Sequence, residues 1–181
     1  MPIIQDQGLE LMLQLLRIKQ PQSILEIGTA IGYSSLMMAR HLPNTHIVSI
    51  ERDPKRYNEA IAYHERSTIK EQVTLIEADA LEIANEELPI QKYDVIFIDA
   101  AKAQYQKFFE KYMPLVKEKG ICIVDNLDFH GMIFDIDHIK NRNTKQLVKK
   151  IKRFKDWIFN HEEYQVTYYG VGDGICVIKR K

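Results

Sequence analysis

Tyr93-Asp94-Val95-Ile96-Phe97-Ile98-Asp99-Ala100-Ala101-Lys102 reads as an apolar strand that ends on a carboxylate, and it has a counterpart in Ile121-Cys122-Ile123-Val124-Asp125-Asn126. Both runs are short, continuous and rich in β-branched residues, the pattern of strands covered on both faces of a parallel sheet. Ligands of such sheets bind beyond the carboxyl ends of the strands. Two adjacent strands ending there would converge the oxygens of Asp99, Asp125 and Asn126 on one point, with Lys102 a short turn away. An oxygen-only ligand set suits a hard divalent cation such as Mg²⁺.

Working outward, strand-like runs at Ser23–Ile27, His46–Ile50 and Val73–Ile76 precede these two, and helical periodicity fills the intervals. Helices are predicted over Gly8–Lys19, Tyr33–His41, Pro54–Ser67, roughly Ala80–Glu87 and Ala103–Val116, with Asp53 capping the helix that Pro54 opens and Gly120 closing the connection into the strand at Ile121. Past Asn126 a basic segment predicts a long amphipathic helix ending near Asn160, with Leu147, Ile151, Phe154 and Ile158 buried on one face. Tyr164–Tyr169 and Gly174–Lys179 flank the turn Gly170-Val171-Gly172-Asp173 as an antiparallel hairpin at the sheet edge. Alternating strands and helices predict one α/β domain over residues 1–181. The expected sheet is Rossmann-like and seven-stranded, mostly parallel with a C-terminal antiparallel hairpin, and carries helices on both faces.

Bulk composition narrows the function classes. The 181 residues carry 25 basic and 25 acidic side chains, so no global charge draws the chain to nucleic acid or membrane. The distribution is uneven. His138 to Lys155 contains Lys140, Arg142, Lys145, Lys149, Lys150, Lys152, Arg153 and Lys155 and no acid, which makes it a basic segment on an otherwise acidic protein. Cys122 and Cys176 lie in apolar runs without metal or redox spacing, as small buried hydrophobes of a reduced, cytoplasmic protein do. No apolar stretch approaches the roughly 20 residues that span a bilayer, and no signal pattern opens the chain, so no membrane association is expected.

Glu26-Ile27-Gly28-Thr29-Ala30-Ile31-Gly32 follows the first strand and opens a helix, where glycines let the backbone approach a ligand and the helix start offers free N–H groups. The Gly-x-x-x-Gly spacing is not the Gly-x-Gly-x-x-Gly of dinucleotide binders, so no pyrophosphate clamp is specified. Glu51 nevertheless ends the second strand where a carboxylate would accept from ribose hydroxyls, and Asp79-Ala80 would flank an adenine. An adenosine cofactor without a pyrophosphate fits this set, and S-adenosylmethionine is one.

These motifs resemble the class I, cation-dependent O-methyltransferase family, the catechol and caffeoyl-CoA group. The resemblance rests on Leu25 to Ser34, Glu51-Arg52-Asp53, Asp79-Ala80, Phe97 to Lys102 and Asp125-Asn126, in order and spacing, and covers about Pro2 to Ile178. It implies that Glu26, Gly28, Thr29, Gly32, Tyr33 and Ser34 hold the methionine end of S-adenosylmethionine, that Glu51 holds the ribose and that Asp79-Ala80 hold the adenine. Ile4, Arg52 and Asp99 complete the implied cofactor-binding set, and Asp99, Asp125 and Asn126 are the implied ligands of Mg²⁺ or another divalent cation. Family members carry an N-terminal helical segment that helps cover the site and build a homodimer. This chain begins almost at Pro2-Ile3-Ile4, which weakens the expectation of a lid and of a homodimer.

Methyl transfer to a hydroxyl needs a deprotonated oxygen, and a divalent cation lowers the pKa of an oxygen it touches. Lys102 beside the cation is the candidate base. Tyr105, Phe108, Phe109 and Tyr112 stand at helical spacing, which favours core packing, and His130 is expected to be a surface or structural residue more than a substrate contact. Two acceptors remain open. A small catechol-like phenol would want an apolar and aromatic pocket, whereas an RNA would want a cationic track, which the basic segment offers. 5-Hydroxyuridine presents O5 beside O4 with the chelating geometry of a catechol and could flip out of a tRNA anticodon loop. The chain is similar to bacterial tRNA 5-hydroxyuridine methyltransferases, particularly in Leu25 to Tyr33 and Phe97 to Phe109, so the tRNA anticodon loop ranks ahead of a small phenol.

Overall fold

The structure, a computed structural model, describes residues 4–181. Pro2 and Ile3, the start of the expected approach to the cofactor, lie outside the described residues. Seven strands form one sheet in the order β3-β2-β1-β4-β5-β7-β6. They are β1 (Ser23–Ile27), β2 (His46–Glu51), β3 (Val73–Glu77), β4 (Tyr93–Ile98), β5 (Val116–Val124), β6 (Tyr164–Tyr169) and β7 (Ile175–Arg180). The first five pair in parallel, and β7 joins both β5 and β6 antiparallel, as the sequence predicts.

Strand alternation divides the apolar side chains between two cores. Leu25, Ile27, Val48, Ile50, Ile96 and Ile98 face one way, against α4 (Tyr105–Tyr112) and α5 (Arg142–Phe159). Ile24, Ile47, Val95 and Phe97 face the other, against α1 (Asp6–Lys19) and α2 (Tyr33–His41). The remaining helix, α3 (Pro54–Glu65), starts on Asp53, whose carboxylate accepts from the Lys55 and Arg56 N–H groups at 3.0 and 3.1 Å. Cys122 and Cys176 are buried free thiols, and burial pushes the Cys176 thiol up to about 12. Among the described residues no helix is long and apolar enough to cross a membrane.

Register is what positions the site. Ile27 pairs with both Ile50 and Ile98, and Ile98 pairs with Val124. The next residues, Gly28, Glu51, Asp99 and Asp125, therefore form one row across four strand tips, with neighbours about 4.8 Å apart. The order reverses between β2-β1 and β4-β5, so the row straddles the switch point where open α/β sheets bind ligands.

Four expectations need correction. No α-helix spans Ala80–Glu87. That connection is made of turns and a 3₁₀ segment at Asn85–Glu87, and the Leu81 and Ile83 carbonyls, which a helix would bond internally, accept instead from Lys111 Nζ at 2.9 and 2.5 Å. The helix expected over Ala103–Val116 is only α4, with 3₁₀ turns at Lys102–Gln104 and Met113–Leu115. Pro114 lacks an N–H and restricts Met113, which stops it early. Gly120 lies inside β5 and does not precede it: the β4 pairing jumps from Tyr93↔Val116 to Val95↔Ile121. Residues 117–120 bulge out of the ladder, and a Cβ on Gly120 would lie 2.6 Å from Val116 Cγ1. On α5 the fully buried stripe is Val148, Ile151, Phe154 and Ile158, while Leu147 is only half-buried.

Candidate active site

The glycine-rich turn is built by backbone needs. Gly28 has φ +91°, and a Cβ there would stand 2.5 Å from the Asp99 carbonyl, so a side chain would drive β1 and β4 apart. Ala30 also takes a positive φ of 51°, held by its N–H donating to Glu51 Oε2 at 2.9 Å. The other Glu51 oxygen accepts from Arg52 N and Asp53 N, each at 2.9 Å. Three backbone donors thus fix the carboxylate while leaving lone pairs for a further donor such as a ribose hydroxyl.

Above this turn lies a cavity of about 310 Å³. Of the expected cofactor residues, Ile4, Gly28, Thr29, Tyr33, Ser34, Glu51, Arg52, Asp79, Ala80 and Asp99 line it, and so does Lys102. Arg52 and Asp79 form an exposed ion pair at 3.4 Å, and Asp79 Oδ1 accepts from Leu81 N at 2.9 Å. Two expected residues are not in the lining. Glu26 shares the strand face of Ile24 and is fully buried, its carboxylate accepting from Ser34 Oγ and, at 2.6 Å, from Ser49 Oγ. It fixes Ser34 from beneath, and burial raises its pKa. Gly32 backs onto His64, where a Cβ would approach Nε2 to 2.8 Å.

The acid cluster forms as β4 and β5 deliver it. Asn126, at φ 64°, turns its amide so that Nδ2 donates to Asp99 Oδ1 at 3.1 Å and Asp125 Oδ2 at 2.6 Å. Lys102 Nζ stands 3.6 Å from Asp99 Oδ1, mostly shielded from solvent. The Tyr105 hydroxyl donates to the Asp125 carbonyl at 2.8 Å and anchors the backbone of the cluster. Burial raises the Asp99 pKa against the pull of Lys102. Burial, and then the charge of Asp99, push Asp125 up to about 7. Asp125 Oδ1 is buried without a hydrogen-bond partner. Two repelling carboxylates with an unmet oxygen form an environment that a divalent cation relieves. Among the described residues no three His, Cys, Asp or Glu side chains group as a ligand set. The donors on offer here are two carboxylates and an amide, and the amide would have to present Oδ1 in place of Nδ2.

Asp173 is the residue that sequence reading missed. It sits in the β6–β7 turn, accepts from His130 N through one oxygen, has its other oxygen buried and unpartnered, and adds charge that raises both Asp99 and Asp125. A lone acid in a glycine-rich turn was the available signal. His130 itself is largely exposed, its Nδ1 3.8 Å from Asp173 Oδ2. Phe108, Phe129, Leu147 and Arg56 also line the cavity. Leu147 brings α5 to the rim, and six of the basic residues on and before α5, Lys140, Arg142, Lys149, Lys150, Lys152 and Arg153, are exposed. Lys145 and Lys155 are instead half-buried and paired, with Asp137 at 3.7 Å and Asp128 at 3.1 Å.

Comparison with known proteins matches this arrangement. A structure from Staphylococcus aureus, named provisionally as a caffeoyl-CoA O-methyltransferase, superimposes with a TM-score of 0.93 at 38% identity, covering 99% of this chain and 86% of that one. An O-methyltransferase from Bacillus cereus solved in complex with SAH gives 0.83 at 26% identity over 99% of this chain and 83% of the other. A catechol O-methyltransferase of Niastella koreensis is 33% identical over 78% of this chain and 64% of its own length. A caffeoyl-CoA O-methyltransferase of Populus kitakamiensis is 26% identical over 99% of this chain and 77% of its own. The family model described as O-methyltransferase matches residues 1–181. The strand-tip row, the cavity above it and these matches together place the chain in the O-methyltransferase family, as a methyltransferase enzyme.

Proposed function

We propose that the protein transfers a methyl group from S-adenosylmethionine to a hydroxyl held against a divalent cation at Asp99, Asp125 and Asn126, and that this hydroxyl belongs to 5-hydroxyuridine at the wobble position of a tRNA anticodon loop. The observation that carries the catalytic reading is the in-register row of Gly28, Glu51, Asp99 and Asp125, which sets a carboxylate able to accept from a ribose and an unsatisfied acid cluster side by side at the carboxyl ends of the strands. When bound, S-adenosylmethionine supplies an electrophilic methyl group and the cation supplies positive charge beside the acceptor oxygen.

The chain supplies the rest. Glu51 orients the ribose, Asp79 and Ala80 border the adenine, and Gly28 to Ser34 close around the amino-acid end, with Ile4 and Arg52 at the rim. Lys102, whose Nζ lies 3.6 Å from Asp99 Oδ1, would receive the acceptor proton on Nζ as the neutral amine, its own ammonium proton having first left to solvent. Phe108 and Phe129 exclude water from the cavity. Holding both reactants in contact provides much of the rate gain.

The tRNA reading is supported by α5, which contributes Leu147 to the cavity rim and presents exposed cations beside it, as phosphate tracking requires. A catechol-like phenol is the second reading, favoured by the aromatic walls and by the names of the catechol and caffeoyl-CoA relatives. A cytoplasmic location follows from the tRNA substrate. The test offers the purified protein an anticodon stem-loop carrying 5-hydroxyuridine, the same stem-loop with uridine, and free catechol. Methylation of the hydroxylated RNA with kcat/KM above that for catechol supports the proposal; methylation of catechol alone refutes the RNA acceptor.

A further inference from the structure

Asn126 begins a segment with an uncommon backbone: Asn126, Phe129 and His130 have φ of 64°, 46° and 56°. Left-handed conformations persist at non-glycine residues only where the surroundings over-determine them, and phenylalanine has no side-chain means of easing one. Phe129 lines the cavity and Asn126 belongs to the acid cluster, so both ends of this strained segment serve the site.

Asp128 sits between them and is buried. Its carboxylate takes Lys155 Nζ from α5 on Oδ1 at 3.1 Å and the Tyr168 hydroxyl from β6 on Oδ2. Its N–H donates to the Asp173 carbonyl at 2.8 Å and its carbonyl accepts from Ile133 N at 3.2 Å. Lys155 Nζ also lies 3.8 Å from the Tyr168 ring centroid, a cation–π contact that adds to the ion pair. Gly174 makes room: at φ +82°, a Cβ on it would lie 2.7 Å from the Asp128 carboxylate. One buried side chain thus ties the strained loop to two other elements.

We propose that Asp128, Lys155 and Tyr168 form a positioning clamp that holds Asn126 and Phe129 in their left-handed conformations, and so couples the packing of α5 to the shape of the acceptor site. Lys155 is then a loop anchor and not part of an RNA track, although it lies in the same basic segment. Removing one member leaves the loop free to relax toward ordinary φ values, moving Asn126 off Asp99 while the cofactor turn on the far side of the row stays in place. The inference rests on the cation reading only for one of its readouts.

The test compares wild type with Lys155→Met, Lys155→Arg, Tyr168→Phe and a control on the exposed face of α4, Lys107→Met, by amide hydrogen exchange, by calorimetric titration with SAH and by titration with Mn²⁺. Lys155→Met is expected to speed exchange across residues 126–134 by about tenfold or more, to weaken Mn²⁺ binding by about tenfold, and to leave SAH affinity within about twofold of wild type. Lys155→Arg retains the charge and restores most of the protection, Tyr168→Phe gives a smaller loss of the same kind, and Lys107→Met leaves all three readouts as in wild type. Unchanged exchange at 126–134 in Lys155→Met overturns the clamp, as does an increase spread evenly over the whole chain, which marks global destabilisation. If wild type binds no Mn²⁺, the cation reading fails, and the exchange comparison still decides the clamp.

Discussion

At the scale of single residues, catalysis and stability turn on what each polar atom lacks. Lys102 is held 3.6 Å from Asp99 and faces the cavity, so Lys102→Met should lower kcat by about 10²- to 10⁴-fold, the range for loss of a general base. The KM for S-adenosylmethionine should stay nearly constant, since the proposed adenosine contacts at Glu51, Asp79 and Ala80 do not involve Lys102; a KM rise with kcat intact would show a binding role instead. His64 offers a separate check on the cofactor turn. Its Nε2 lies 3.0 Å from Ser35 Oγ, which itself donates to the Gly32 carbonyl, while Nδ1 is buried without a partner. Burial lowers its pKa below the ordinary 6.5. The unfolded chain therefore takes up this proton near 6.5 and the folded chain only at lower pH, so stability falls as pH drops from about 6.5 through the folded value. Urea unfolding from pH 8 to pH 5 should show that loss, and His64→Gln should flatten the His64 share of it. An unchanged slope would mean that the histidine has no such role. Glu26 carries a lesson at the same scale: its place at the end of a strand, just before the glycine turn, marks it as a ligand group, but strand alternation turns it toward Ser34 and Ser49, where it supports the turn from below.

At the scale of elements, sequence served best where periodicity was strong and ends were capped. The five parallel strands, the C-terminal hairpin, α2 and α3 follow directly from continuous apolar runs, from Asp53-Pro54 and from the Gly170 to Asp173 turn. The β3–β4 connection misled because its alanines, glutamates and leucines have both helical propensity and helical spacing, whereas packing of Leu88 on the sheet and the capture of the Leu81 and Ile83 carbonyls by Lys111 decided otherwise. The β5 start misled because Gly120 looks like a terminator but serves as a bulge. Helix α5 joins two roles: its buried stripe packs Phe154 at 5.6 Å from Tyr105 and 6.3 Å from Phe109, and its outer face carries the cations. Reversing Lys149, Lys150 and Arg153 to Glu should weaken binding of an anticodon stem-loop and flatten its salt dependence, by roughly 0.7 in log–log slope for each single-strand phosphate that is no longer neutralised. Transfer to free catechol should be unaffected. Equal losses for RNA and catechol would mean that the face has no part in RNA docking.

At the scale of the whole molecule, the sheet order brings together groups that are distant in the chain. The row from Gly28 to Asp125 is readable from sequence, because each member directly follows an apolar run and the runs align in a parallel sheet. Asp173, Asp128 with Lys155, and Leu147 are not, since only the antiparallel return of β7 beside β5 and the docking of α5 place them near that row. Long-range pairing of this kind leaves no periodic trace. On the proposed reading, the acid cluster at the tips of β4 and β5 holds the cation that the acceptor hydroxyl needs. Methyl transfer from S-adenosylmethionine to an anticodon stem-loop carrying 5-hydroxyuridine, measured with EDTA, with Mg²⁺ restored, and with Asp125→Ala, tests it most directly. Transfer should fall by about 100-fold or more in EDTA, recover fully with Mg²⁺ and fail to recover in Asp125→Ala. Equal transfer under all three conditions would contradict that reading.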